Sequence, residues 1–381
     1  MRNLLRHFNR HEFSGAFGDV GTDLPLITGM ILASGMNPAS VLGVFGAAQV
    51  ASALFYGIPM PVQPLKAVAA LVIAGGISAP QVYGAGLTIG VVMLLLTATG
   101  LLDRLRAMVP HAVIRGLQLG LGLKLALLSA LRYIPANGPW GIALALFCGI
   151  IILLLLKNRH CPPALPVIGI GLLYVWFVDH GNLLAPGQLG ITLPTLVRFT
   201  PSDMLQGFLL LALPQIPLSL GNSLFATHQM ATDLFPQRKV RLRTIGYTYG
   251  ILNICSAPLG GIPVCHGTGG MAGHYIFGGR TGGSVFIYGT LLILLGLFWG
   301  SGFGRIVQIF PLSVLGIILL TESGMLMHLA RDVIPLPRAR IVATATALMA
   351  AFLPYGFLIG MIAGSLLEHA LKRTIPNGGT P

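Results

Sequence analysis

The chain has 381 residues, 54% of them apolar and 9% charged, with a mean hydropathy of +0.82, which excludes an ordinary soluble protein. A formal charge of +13 would suggest nucleic acid in a soluble chain. Here the basic residues sit in short connections between apolar spans, so the charge reads as an orientation signal and no nucleic-acid partner is expected.

An α-helix needs about 20 residues to cross the hydrocarbon core. On that ruler the first half divides into segments near 15–35, 39–57, 62–76, 82–102, 110–131, 139–156 and 164–179. Arg2, Arg6 and Arg10 precede the first segment, which is broken by Asp19 and Asp23 and lacks a convincing cleavage site; the N-terminus reads as retained and cytoplasmic. The third segment is too short to cross as helix. An extended stretch at Pro59 to Gln63 followed by a half-helix from near Pro64 fits it, because proline suits a first helical turn. After a polar connection, the second half gives 205–228, 242–258, 264–278, 284–300, 310–330, 339–353 and 357–371, and again the third is short.

The halves repeat. Gly-Ile-Pro occurs in GIPMPVQPLKAVAA (57–70) and in GIPVCHGTGG (261–270), and TGLLDRLRAMVPHAV (99–113) aligns with GSGFGRIVQIFPLSV (300–314). Paired, proline-interrupted short segments at equivalent places in two halves point to the binding site of a transporter built from inverted repeats. The expected units are a first repeat 1–179, a connection 180–203, a second repeat 204–373 and a polar tail 374–381. Seven segments per repeat force opposite orientations, so the two half-helices meet N-terminus to N-terminus near the midplane. With both termini cytoplasmic, most of the 23 Lys and Arg residues fall inside, as the positive-inside rule requires.

An ionisable side chain within a span is a functional candidate because it is costly there. Asp19, Asp23, Lys66 and Glu322 qualify, with Lys124 less deeply placed. Lys66 lies in the first turn of the first half-helix; with two helix termini of roughly +0.5 each it would give a cavity of about two positive charges, suited to a dianion. Gln63, Thr268 and the amides of Gly267, Gly269 and Gly270 are neutral donors of the kind that ring an oxyanion. His266 could donate to the anion or carry a proton, beside a packed Cys265 thiol. His228, His274 and His328 read as structural. Asn222, in the proline-broken PQIPLSLGNSLFATHQ, either faces the cavity or packs between helices. Asp19 and Asp23, four apart, are a coupling site if buried together and merely solvated if they lie at the cytoplasmic mouth. Cys148, Cys161, Cys255 and Cys265 form no CxxC pairing, and no metal or cofactor is expected. No GxxxxGK[ST] loop is present, which argues against direct ATP drive.

FGDVGTDLPLITGM (17–30), MPVQPLKAVAA (60–70) and PLGGIPVCHGTGGMAGHYIFGGRTG (258–282) resemble signature segments of the molybdate transporter family, distant relatives of the sulfate permeases. The resemblance spans nearly the whole chain, with leucine at 65 where methionine is common. It implies an all-α polytopic membrane protein of fourteen segments in a seven-plus-seven inverted repeat, like sulfate and uracil permeases, with half-helices at segments 3 and 10. The resemblance implies uptake of molybdate across a membrane. The residues add a reading of secondary active import by alternating access in a bacterial inner membrane, with protons as the simplest coupling ion and Asp19, Asp23 and Glu322 as candidate carriers. Many sulfate permeases carry a C-terminal cytoplasmic regulatory domain, which is not expected here. The expected partners are the oxyanion, membrane lipid and, as one option, a second copy forming a homodimer. Competing readings are a sulfate or other anion carrier or channel, a nucleobase permease of the same fold, and an intramembrane enzyme using Cys265 and His266.

Overall fold

The computed structural model describes residues 9–156, 158, 161–178 and 190–372. The expected tail 374–381 and part of the 180–203 connection lie outside these residues, as do the basic residues Arg2, Arg6, Lys157, Arg159 and Arg373. Helix or a short strand occupies every segment read from the sequence. In chain order these are α1 (Arg10–Ala16), α2 (Val20–Ser34), α3 (Pro38–Tyr56), β1 (Val62–Pro64), α4 (Lys66–Gly75), α5 (Ala79–Ala98), α6 (Leu101–Met108), α7 (His111–Leu128), α8 (Gly138–Leu155) and α9 (Ala164–Val178). There follow α10 (Pro201–Gly207), α11 (Leu213–Leu218), α12 (Thr227–Leu234), α13 (Leu242–Ser256), β2 (Val264–His266), α14 (Thr268–Ile276), α15 (Gly283–Ile309), α16 (Leu312–His328), α17 (Pro337–Phe352) and α18 (Gly356–Leu371). Among the described residues, seven helical stretches are long and apolar enough to cross a membrane.

Local chemistry explains the breaks. Pro110 and Pro311 cap α7 and α16, each after a short helical stretch, as the aligned 99–113 and 300–314 segments imply; α15 reaches its stretch through a kink at Trp299. Between α10 and α12 the helix passes through π-helical turns at Phe208–Ala212 and Ser219–Ala226, on either side of Pro214 and Pro217, which have no N–H to give the helical ladder.

Packing sorts the helices into two bodies, each drawing on both halves of the chain. In one, α3 lies on α15 and α5 on α13 and α10, with α1, α2 and α4 alongside; in the other, α7, α8 and α16–α18 pack together. The first body is closed by small residues. A methyl on Gly46 would lie 2.6 Å from the Gly289 carbonyl oxygen, and one on Gly90 would lie 2.9 Å from that of Gly250, so α3–α15 and α5–α13 approach at backbone distance. These two contacts are counterparts under the repeat. Leu146, Leu153, Leu154 and Phe177 of α8 and α9 are exposed, the outer surface expected of helices that face lipid.

Candidate functional site

β1 and β2 pair antiparallel at the centre, with Val62 opposite His266, Gln63 opposite Cys265 and Pro64 opposite Val264. A strand must find hydrogen-bond partners on both edges when buried, and two amide side chains supply the outer ones. Gln49 of α3 accepts from the Val62 N–H (2.8 Å) and donates to the Val62 carbonyl (2.7 Å). Asn253 of α13 does the same for Val264, at 2.9 and 2.7 Å. Ser52 and Ser256 donate to the Met60 and Ile262 carbonyls. The pseudo-twofold axis therefore passes through the Gln63–Cys265 pair and matches Pro61, rather than Pro59, with Pro263. At the strands the Gly-Ile-Pro triplets are two residues out of structural register, because the first copy has two additional residues before its strand.

Each strand runs into a half-helix, α4 beginning at Lys66, just beyond Pro64, and α14 at Thr268. The two termini are not equivalent. On α4, Gln215 Oε1 accepts from the Ala67 and Val68 N–H groups at 2.9 and 3.3 Å, so part of that positive terminus is already used. On α14 the N–H groups of Thr268, Gly269 and Gly270 have no acceptor among the described residues. A methyl on Gly269 would meet only Lys66 Nζ, at 3.9 Å, an ordinary contact, so the ammonium lies beside that terminus and a methyl could be accommodated there. A methyl on Gly267 would lie 1.5 Å from Gln63 Oε1, so glycine there lets the Gln63 side chain cross the backbone. The adjoining cavity is lined by Lys66, Gln118, Gln215, Asn222, Ser223 and Cys265, with leucines completing the wall. Asn222 Oδ1 accepts from Thr268 Oγ1 (3.2 Å) and Gln118 Nε2 (3.3 Å).

The charges depart from the sequence expectation. Lys66 Nζ is bonded to Glu322 Oε1, a contact between side chains each 9% exposed, so the ammonium is not a free charge and the cavity does not carry two unbalanced positive charges. Sequence separation hides this pair, which joins positions 256 apart. Glu322 Oε2 accepts from Thr22 Oγ1 at 3.1 Å. Asp19 caps α2, is buried, and accepts from Gln63 Nε2 at 2.6 Å; Asp23 is buried in the next turn. Neither is solvated at a mouth. His266 is buried away from the cavity, with Nε2 2.9 Å from Thr248 Oγ1, Nδ1 3.4 Å from the Pro61 carbonyl, and its ring edge-on to Tyr56. Both ring nitrogens are thus engaged with groups of the surrounding elements.

Comparison with known proteins decides the family. The family described as "Molybdate transporter of MFS superfamily" matches residues 11–125 and 207–326. Molybdate transporter 1 of Arabidopsis thaliana is 31% identical, over 97% of this chain and 90% of that protein. The chain belongs to the molybdate transporter family. Molybdate transporter 2 of Arabidopsis thaliana is 30% identical over the same shares, and Molybdate transporter 1 of Chlamydomonas reinhardtii 28% over 92% and 90%. The fold is shared with the transmembrane domain of a cyanobacterium bicarbonate transporter, BicA (TM-score 0.66, 18% identity, 93% of this chain and 98% of that one). It is shared also with SLC26A9 (TM-score 0.68, 15% identity, 96% of this chain and 65% of that one). This member of the molybdate transporter family is thus a multi-pass integral membrane protein of the sulfate permease-like, inverted-repeat fold, related to transporters and not to enzymes. Gln49, Gln118, Gln215 and Asn253 were not singled out in the sequence. The available signal was a buried amide inside an otherwise apolar helix, the same rule that selected the charged residues.

Proposed function

We propose that this member of the molybdate transporter family is a secondary active importer of molybdate, working by alternating access with both termini cytoplasmic and with 1–179 and 204–373 as its inverted repeats. The observation that carries the reading is the open α14 terminus, whose Thr268, Gly269 and Gly270 N–H groups have no acceptor among the described residues and whose Gly269 lies beside Lys66 Nζ. Backbone N–H groups at a helix start, a hydroxyl and an ammonium suit a tetrahedral oxyanion without a metal. The names of its curated relatives select molybdate among such anions. Lys66, Thr268 and the glycine amides would touch the anion, Gln118, Asn222, Ser223 and Cys265 would line its cavity, and Gln63 and His266 would hold the strands.

Charge balance supports proton coupling. One lysine faces Asp19, Asp23 and Glu322 in a single electrostatic group. A dianion entering that group with all three carboxylates ionised would be repelled, so protons would have to accompany it. The test is uptake by the purified protein in proteoliposomes, offering molybdate, sulfate, bicarbonate and uracil separately. Molybdate should accumulate and uracil should not. Accumulation of sulfate or bicarbonate with no molybdate uptake would make the chain a different anion carrier on the same fold.

A further inference from the structure

Glu322 belongs to the body that contains α7, α8 and α16–α18, whereas Lys66 and Thr22 belong to the body built on α2–α5 and α13–α15. The Lys66–Glu322 ion pair and the Thr22–Glu322 hydrogen bond therefore span the boundary between the two bodies, and Lys66 itself lines the cavity. Lys66 is the one cation lining that cavity among the described residues. Glu322 already holds the ammonium that also lies beside Gly269 at the start of α14. A carboxylate and a dianion cannot both occupy one ammonium in a water-poor site without strong repulsion.

We propose that Glu322 is an internal counter-anion: it occupies Lys66 while the site is empty, leaves as the neutral acid when an oxyanion binds, and in leaving unfastens the two helix bodies. The inference rests on the oxyanion reading of this site. One proton is taken up on a Glu322 oxygen from hydronium in the bulk solvent for each anion bound, leaving water, and no other covalent bond is made or broken. The charged groups facing Glu322 are Lys66 from α4 and Asp19 and Asp23 from the start of α2. From the helices packed on α16, Arg115 and His111 of α7 are directed to Asp332 and Lys124 to the Phe357 ring. Cys148 of α8, Tyr174 of α9 and Tyr133 make no hydrogen bond to Glu322. Binding by displacement links anion binding to one proton and to motion at Glu322, alongside whatever protons Asp19 and Asp23 carry, since an anion that does not release Glu322 finds the bodies still joined.

The experiment is calorimetric titration of the purified full chain with molybdate between about pH 6.5 and about pH 8.5. A binding-competent form that requires protonated Glu322 makes wild-type Kd rise by up to about tenfold per pH unit. Glu322→Gln should bind at least about tenfold more tightly at the alkaline end and lose that slope. Should this variant fail to fold, Glu322→Asp keeps the charge, retracts it from Lys66, and should bind severalfold more tightly with the slope retained. Equal or weaker binding by the folded variant, or an unchanged slope in Glu322→Gln, overturns the proposal. Hydrogen exchange on the anion-free protein separates the two readings. If wild type binds no molybdate, the oxyanion reading fails, and the latch is judged by whether Glu322→Gln speeds exchange in α4 and α16; unchanged exchange overturns it.

Discussion

Two glycines two positions apart in the α14 approach face opposite constraints, which makes them a sensitive probe of the site. Gly267→Ala would drive a methyl into Gln63, whose amide also serves Asp19, so we expect a lower unfolding temperature in detergent and loss of uptake. Gly269→Ala has room for its methyl and should stay folded. It should weaken molybdate binding nevertheless, because the methyl enters the space before Lys66; normal binding by this variant would move the anion elsewhere. Lys66 itself requires a paired substitution. Lys66→Ala leaves Glu322 buried without its cation, a change that typically costs about 3–5 kcal/mol, so the single variant should be markedly less stable than Lys66→Ala/Glu322→Ala. Thermal unfolding of both checks this, and equal stability would mean that the pair contributes little. The identity of Lys66, Glu322, Asp19 and Asp23 as candidates was legible, since a charge in an apolar span is visible in one dimension. Their pairing was not, because it depends on which helix turns which face toward α4, and no local pattern carries that.

At the scale of elements, the half-helices were legible because proline and glycine punctuate the chain without reference to tertiary contacts: the proline-rich run from Pro59 to Pro64 interrupts regular helix in the first copy, and Pro263 with the glycines from Gly267 does so in the second. The register was less so. Gly-Ile-Pro is a repeat in sequence, but the structural equivalence is set by where Gln49 and Asn253 clamp the backbone, and those clamps arrive from helices 13 and 11 residues away. Each clamp satisfies a buried N–H and a buried carbonyl that water cannot reach. Asn253→Ala orphans both groups of Val264, and each buried unsatisfied group costs about 1–3 kcal/mol. We expect Asn253→Ala and Gln49→Ala to lower the unfolding temperature by similar amounts, because the two sites are counterparts. A large loss from one with none from the other would show that the two strands are not equivalent supports. The open terminus of α14 and the Gln215-capped terminus of α4 were both expected to serve the anion; the difference comes from a glutamine contributed by α11, a contact no repeat in the sequence announces.

At the scale of the whole molecule, the two packed bodies each take helices from both halves of the chain, so the sequence repeat organises the symmetry but not the mechanical units. Transport across their boundary has an electrical constraint. Import of a dianion into a cell with a negative interior is opposed by roughly 2.3 kcal/mol per charge per 100 mV, about 4.6 kcal/mol at that potential. The ion pair at Lys66 removes the simplest source of attraction, and the buried carboxylates beside it add repulsion unless they carry protons. Asp19 can be neutralised with little change of shape, since asparagine retains an acceptor for Gln63. Asp23, fully buried with the Tyr288 side chain beside its carboxylate, is a more exacting test. Asp19→Asn and Asp23→Asn should abolish accumulation driven by an imposed pH gradient in proteoliposomes while sparing exchange of molybdate across the same membrane. Exchange needs the site and the motion but no net drive, so its survival separates coupling from folding. If both variants accumulate molybdate as wild type does, the pair serves α2 structurally and Glu322 alone carries the proton; if wild-type uptake ignores the gradient, protons are not the drive.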